Sequence, residues 1–381
     1  MINCEKPFKI YAEFVEKEAL TQFENCMNHD DVIRGALMPD AHCGYTLPIG
    51  GVIATNTMIF PSFCGYDIGC GMAAVKTSFK ADDVREFADD IFKSIYRSVP
   101  TGFNVNQHSI NPGDFSQYID KISDTSRALY QGNMKAIGSL GGGNHFIEIG
   151  YDERENVWII VHSGSRNFGH KVASHYMALA SGNEKAVEGL FGFDINSNNG
   201  KAYYNDMMFC LDFAIANRKE IINRVAIDIA HYCGEGNIDF ENMINRNHNH
   251  IDLAHDMIIH RKGATHAEEG MMGVIPGNMR DGSFIVRGKG CSDALWSSSH
   301  GAGRVLGRNQ ARKTLKFETF QESMKGITAS VVEGTIDESP LAYKNIFYVM
   351  QNQRDMVDIV AHIKPIINIK SIDTGRKKRK K

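Results

Sequence analysis

The chain has 381 residues, 43% of them hydrophobic, with a formal net charge of −3 when histidine is neutral. That length supports a sizeable core, the ordinary apolar fraction excludes a chain disordered throughout, and the near-balanced charge excludes a wholly basic nucleic-acid coat. No apolar run approaches membrane-spanning length, residues 1–6 lack a signal-peptide core, and the eight cysteines are scattered without a CxxC pair, so a reduced, cytoplasmic protein without a membrane segment is expected.

In chain order, 47–55 and 72–75 read as buried strands flanking a Pro/Gly/Cys loop. Residues 82–97 carry Val84, Phe87, Ile91, Phe92 and Ile95 at helical spacing, with acids early in the segment. The Asn-, Gln-, Gly- and Ser-rich stretch 101–135 reads as a long surface excursion. A short apolar run, 157–161, delivers His162 to a strand end. Residues 205–233 form the longest helical pattern, closed by Gly234. Strands are expected at 284–287 and 328–332, a helix-like basic face at 304–316, and an amphipathic helix over 345–362 ended by Pro365. Strands mixed with separate helices argue for an α+β or α/β class, not a bundle or a β-sandwich. No repeat or linker marks an internal boundary. The basic run 376–381 reads as a solvated terminus that adds nonspecific attraction to RNA.

The chemistry lies in short runs that pair His, Cys or Asp with glycine. Asp67 and Cys70 stand three residues apart among Gly65, Gly69 and Gly71. His145 follows three glycines and Asn144, His162 ends its strand, and His248 lies in an Asn/His-rich run. Each histidine alone reads better as a structural one; the set reads better as a metal site. Carboxylate, imidazole and one thiolate suit Mn²⁺, Fe²⁺, Co²⁺ or Zn²⁺, and unpaired cysteines do not suit a structural zinc knuckle. His300, among hydroxyls and small residues and followed by Arg304, belongs in a phosphate environment. It suits a ligand, a general acid or a nucleophile on phosphorus, and spacing does not choose. No P-loop and no Lys-x-Asp-Gly run is present. Asp40 and His42, two apart after Pro39, would share a face if extended.

These motifs, in order, resemble the RtcB family of RNA-splicing ligases, which seal RNA ends with GTP and Mn²⁺. The likeness runs from about residue 38 to 370. It is carried by Met38-Pro39-Asp40-x-His42-x-Gly44, Asp67-Ile68-Gly69-Cys70-Gly71, Gly143-Asn144-His145-Phe146-Ile147-Glu148, His162-Ser163-Gly164-Ser165-Arg166, His248-Asn249, Arg261-Lys262-Gly263-Ala264 and Ser299-His300-Gly301-Ala302-Gly303-Arg304, then by Ser339-Pro340-x-Ala342-Tyr343-Lys344 and Ile369-Lys370. The resemblance implies an α+β architecture in which packed β-sheets, enclosed by helices, surround a dinuclear metal site. It makes residues 1–370 one ligase domain and 371–381 a flexible tail. It implies two Mn²⁺ ions on Asp67, Cys70, His145, His162 and His248, and makes His300 the guanylylated residue with Asp40 needed for activity. Guanosine-nucleotide contacts fall to Asn144, Glu148, Ser283, His300, Arg304, Tyr343 and Lys370. RNA contacts fall to Arg166, Arg304, Arg308 and Arg312. The expected activity joins a 3′-phosphate or 2′,3′-cyclic phosphate end to a 5′-hydroxyl end, by a monomer acting on tRNA halves or other cleaved RNA, with an archease-type activator as a candidate partner. Competing readings are a metal-dependent cyclic-phosphate phosphoesterase and a non-catalytic RNA-binding protein. Two stretches depart from the family pattern. Tyr45-Thr46 replaces a basic residue and glycine. Asn278 and Arg280 alter a Pro-Gly-Ser-Met-Gly run, and Arg280 is expected to change shape and charge beside the guanine or RNA site.

Overall fold

Two antiparallel-rich sheets carry the chemistry-bearing residues in a computed structural model that describes residues 2–111, 113 and 115–372. The basic run 376–381 lies outside the described residues. The larger, eight-stranded sheet runs Met272–Pro276, Ser283–Gly288, Val357–Ile369, Phe146–Tyr151, Asn156–Ser163, Gly71–Lys80, Ile244–Asn247, with Thr328–Ala329 added in parallel to Val357–Ile369. Its two end strands curl toward each other: Arg246 Nε donates to Met272 O at 3.2 Å. The second sheet runs Phe8–Ile10, Val32–His42, Ile49–Thr55, Met257–Lys262, Asn249–Ala254. His248 stands between Ile244–Asn247 of one sheet and Asn249–Ala254 of the other, so it marks the joint between them. The two-stranded pair Ala264–His266 and Ser297–Ser299 leads directly into His300.

The long helix Asn198–Cys233 packs across the larger sheet. Its Ile221, Ile222, Val225 and Ile229 are buried against Ala73, Val75, Ile147, Ile149, Ile159 and Val161. Each such side chain contributes about 1.5–3 kcal/mol on burial. Ser197 caps the helix start by accepting from Gly200 N, and Gly234 at φ +81° ends it. Helix Arg166–Ser181 joins the layer through Phe168, which meets Phe209 and Phe213 at 5.4 Å. No helix among the described residues is long and apolar enough to cross a membrane.

The mixed α+β class stands, with sheets flanked by helices. Several expected elements are redrawn. The 82–97 helix is two, Ala81–Glu86 and Ala88–Ser98, broken where Phe87 leaves helical geometry. The largest change is at 345–362. Only Ile346–Gln351 is helical, and Val357–Ile369 is a strand, with Pro365 at a register shift inside it. The β-branched run of Val357, Ile359, Val360, Ile363, Ile366, Ile367 and Ile369 outweighs the helical spacing, and a proline is tolerated where the ladder is irregular. The stretch 101–135 is not wholly irregular: it holds helices Ser116–Ile119 and Asp124–Asn133. The basic face at 304–316 is helical only over Arg308–Thr314. The strand expected at 328–332 shrinks to Thr328–Ala329.

Candidate metal and nucleotide site

Cys70 closes a tight turn, its N–H donating to Asp67 O at 3.0 Å, and feeds the Gly71–Lys80 strand. At Gly71 a Cβ would sit 2.1 Å from Arg246 O, so only glycine lets the neighbouring strand, and His248 beyond it, come this close. The sheet and its loops converge three donor types, thiol, imidazole and carboxylate. Cys70 Sγ lies 3.2 Å from His162 Nε2 and 3.4 Å from His145 Nε2. His145 Nε2 lies 3.3 Å from Asp67 Oδ2, and His162 Nε2 lies 3.3 Å from His248 Nε2. All five expected ligands therefore share one cluster.

Three observations make the cluster suitable for metal. First, donor separations are close to the edge of a tetrahedron around an ion with bonds of about 2.0–2.3 Å, which is about 3.3–3.8 Å. Second, His145 Nδ1 stands 2.9 Å from Leu140 O, so a proton on Nδ1 donated to that carbonyl leaves the Nε2 lone pair facing the cluster. Third, burial holds His162 and His248 neutral, well below the usual histidine range. Burial, and then the Asp67 charge, push the Cys70 thiol well above its ordinary range, so without an ion it keeps its proton. A second group, His250, Asp252 and His266, also draws its donor atoms together. There the Arg261 guanidinium already bonds the Asp252 carboxylate, and a cation occupies the place an ion would need.

His300 lies at the edge of the first cluster, its ring 4.9 Å from that of His248. Fully buried Asp40 approaches from below: its Oδ2 is 2.7 Å from His300 Nδ1 and accepts the His300 and Gly301 backbone N–H groups at 3.2 Å each. Burial works against the Asp40 charge, but His300, His42 and Lys344 nearby hold it below the usual carboxylate range. Gly303, at φ +72°, lets the chain turn against Asp40, where a Cβ would meet Asp40 O at 2.2 Å.

On the other side of His300 a cleft opens, lined by Asn144, Glu148, Pro276 to Met279, Gly301 to Arg304, Arg308, Tyr343, Asn368 and Lys370. Its far wall is organised by a carboxylate that the sequence did not single out. Glu338, buried, accepts from Lys370 Nζ at 2.6 Å, Tyr343 Oη at 2.6 Å, Arg308 Nη1 at 2.6 Å and Arg304 Nη1 at 3.2 Å. Burial opposes its charge, but Lys370, Arg308 and Arg304 lower its pKa to about 2. Glu148, at the opposite end, is pushed up to about 8 by burial, a rise that bonds with Ser283 and Asn368 partly offset. Its Oε1 has no partner among the described residues.

The expected nucleotide residues thus gather at one cleft, with one exception. Ser283 is fully buried beside Glu148 and does not line the cleft. The expected RNA-contacting arginines divide. Arg304 and Arg308 reach the cleft; Arg312 lies outside it, paired with Asp337 at 3.3 Å. Arg166 turns into the scaffold, donating to Ser139 Oγ at 3.2 Å and Gly102 O at 2.8 Å. Of the two departing residues, Asn278 lines the cleft and accepts the N–H groups of Arg280 and Asp281 at 3.0 Å. Arg280 does not line it: its guanidinium pairs with Asp281 at 2.8 Å, so the added charge is neutralised at the surface and not presented to the cleft. Glu338, Asp337, Asn217 and Arg218 went unread in the sequence. For the last two a signal existed, since polar residues at 217 and 218 interrupt the buried stripe of the long helix.

The family model described as tRNA-splicing ligase RtcB matches residues 22–371. The chain is 32% identical to the RNA-splicing ligase RtcB of Escherichia coli K12, covering 93% of this chain and 95% of that one. It is 27% identical to the tRNA-splicing ligase RtcB of Nanoarchaeum equitans, over 96% and 95% of the two chains. It is also 27% identical to the RNA-splicing ligase RtcB homolog 1 of Entamoeba dispar, over 92% and 81%.

Proposed function

The chain belongs to the RtcB family, and from that premise we propose that it is a GTP- and Mn²⁺-dependent RNA ligase. It joins a 3′-phosphate or 2′,3′-cyclic phosphate end to a 5′-hydroxyl end, in tRNA splicing or RNA repair. The observation that carries this reading is the Asp40–His300 pair, whose imidazole lies between the cleft lined by Arg304, Arg308 and Lys370 and the thiol–imidazole cluster.

Asp67, Cys70, His145, His162 and His248 would hold the ions, which supply charge neutralisation at the triphosphate and polarise the α-phosphorus. The protein's own residues do the rest. Asp40 holds the Nδ1 side of His300, so the Nε2 lone pair is free to attack the α-phosphorus. The P–N bond forms as the bond to pyrophosphate breaks. The resulting His300–GMP then gives its GMP to an RNA 3′-phosphate, and attack by a 5′-hydroxyl on that activated end forms the new phosphodiester and releases GMP. A cyclic end is opened first by water to a 3′-phosphate. Glu148, whose Oε1 has no partner among the described residues, suits the N1–H and N2–H donors of guanine once ionised, donors that adenine does not present in that arrangement. Lys370, Tyr343 and Arg304 form the opposing wall, their geometry set by Glu338.

The direct test is an RNA-joining assay on defined ends. Joining of 3′-phosphate to 5′-hydroxyl RNA with GTP, and not with ATP, is expected. Opening of a cyclic phosphate without joining would favour a phosphoesterase, and RNA binding without either reaction would favour a binding protein. A second expectation follows from Cys70. Because burial and Asp67 push its thiol well above the ordinary range, binding as a thiolate displaces a proton. Mn²⁺ affinity measured by electron paramagnetic resonance should therefore rise with pH, by up to about tenfold per unit for one displaced proton. The rise should flatten in Cys70→Ser.

A further inference from the structure

We infer that Arg218, on the long helix, is a positioning residue that presets the ligand set before any ion binds; the inference rests on the metal reading above. Its guanidinium is fully buried. Nη1 donates to Gly69 O and Ser163 O, both at 2.9 Å, Nη2 to Asn247 Oδ1 at 2.7 Å, and Nε to Asn245 Oδ1 at 2.7 Å. Three of these acceptors belong to residues adjacent in sequence to expected ligands. Gly69 precedes Cys70, Ser163 follows His162 and Asn247 precedes His248. One planar fork therefore ties together three chain segments that come from separate strands and turns.

The neighbouring Asn217 extends the tie to the fourth segment. Its Oδ1 accepts from Gly138 N at 2.8 Å and Ser139 N at 3.2 Å, and its Nδ2 donates to Ser139 O at 3.2 Å and Gly164 O at 3.1 Å. Leu140, next along, supplies the carbonyl beside His145 Nδ1 and also accepts from Ser163 Oγ at 2.8 Å.

Helix packing alone does not call for this arrangement. Residue 218 sits on the buried stripe, where an apolar side chain would pack against the sheet without desolvating a charge. All four of these hydrogen bonds of the guanidinium go to neutral oxygens, and burial lowers its pKa to about 10. The nearby carboxylate that favours its charge is Asp67, itself in the candidate ligand set. A lysine keeps the charge, but its single ammonium cannot span four acceptors spread along a planar fork.

The test is Mn²⁺ binding to the full-length protein, followed by the resonance of free Mn²⁺ and by metal content after dialysis. Arg218→Lys is expected to weaken Mn²⁺ binding at least about tenfold, the scale at which groups behind metal ligands act. Asn247→Ala, which removes one acceptor and leaves the helix core intact, should weaken it to a smaller degree and serves if the lysine variant does not fold. Ile222→Ala, buried on the same helix in the sheet-facing core, should lower thermal stability yet leave Mn²⁺ affinity within about twofold. Wild-type affinity in Asn247→Ala and in folded Arg218→Lys, or equal weakening in Ile222→Ala, overturns the inference. A wild-type protein that binds no Mn²⁺ overturns the metal reading, and this inference with it.

Discussion

Asp40→Asn is expected to slow guanylylation of the protein about a thousandfold or more while leaving GTP binding within a few fold. Asp40 Oδ2 is 2.7 Å from His300 Nδ1 and also accepts the backbone N–H groups of His300 and Gly301. The carboxylate can therefore serve only as an acceptor toward the imidazole. An asparagine that keeps its oxygen on those two backbone N–H groups loses the negative charge that stabilises the positive imidazole forming as Nε2 attacks. The same substitution behind the histidine of a serine protease lowers turnover by about 10⁴. Because Asp40 lies beneath His300 and does not line the cleft, the loss should appear in the rate of label uptake and not in the affinity for GTP. Equal losses in both would place Asp40 in nucleotide binding instead.

Glu338→Gln is expected to produce the largest loss of stability among the site variants, about 3–5 kcal/mol, the range for removing one partner of a buried ionic network. Glu338 is 4% exposed and meets Lys370, Arg308, Arg304 and Tyr343. Without its charge, Lys370, itself 5% exposed, is left as a buried ammonium with no carboxylate beside it. The pH dependence has a definite sign. The folded pKa is about 2 against an ordinary 4.5, so the stabilisation is complete above about 4.5 and is lost as pH falls toward 2. It amounts to about 3 kcal/mol at most. Denaturant unfolding should show the gap between wild type and Glu338→Gln wide at pH 7 and closing below pH 4. A gap that persists at low pH would mean that the glutamate acts through packing and not through charge. Nucleotide binding should weaken as well, since the carboxylate orients four cleft residues.

The candidate ligands were legible in the sequence because four of them stand in glycine-bearing runs and His248 in an Asn/His-rich run, compositions that serve little purpose in a core. Asp67, Cys70, His145, His162 and His248 come from four segments, and the two sheets bring them together. The supporting residues were not legible. Glu338 lies in an acidic pair before Ser339-Pro340, a composition that fits any exposed turn, and its burial is decided by cations far away in sequence. Arg166 was legible as a motif residue, but its conformation was not. A basic residue in a motif invites an RNA contact, yet the backbone turns at φ +60° and sends the guanidinium back to Ser139 and Gly102. The misread helix over 345–362 has a different cause. Apolar residues recurring at three and four positions also satisfy a two-residue period when the run is dense, and only the pairing of Val357–Ile369 with Ser283–Gly288 and Phe146–Tyr151 separates the two.

The central claim is that His300 is the residue that carries the nucleotide, and transfer of label from GTP tests it most directly. Protein incubated with Mn²⁺ and α-labelled GTP should retain label that is acid-labile and alkali-stable, as a phosphoramidate on histidine is. His300→Ala should retain none, while still binding Mn²⁺ with wild-type stoichiometry. Equal labelling of His300→Ala, or a wild-type protein that binds Mn²⁺ and GTP yet takes up no label, would contradict the account.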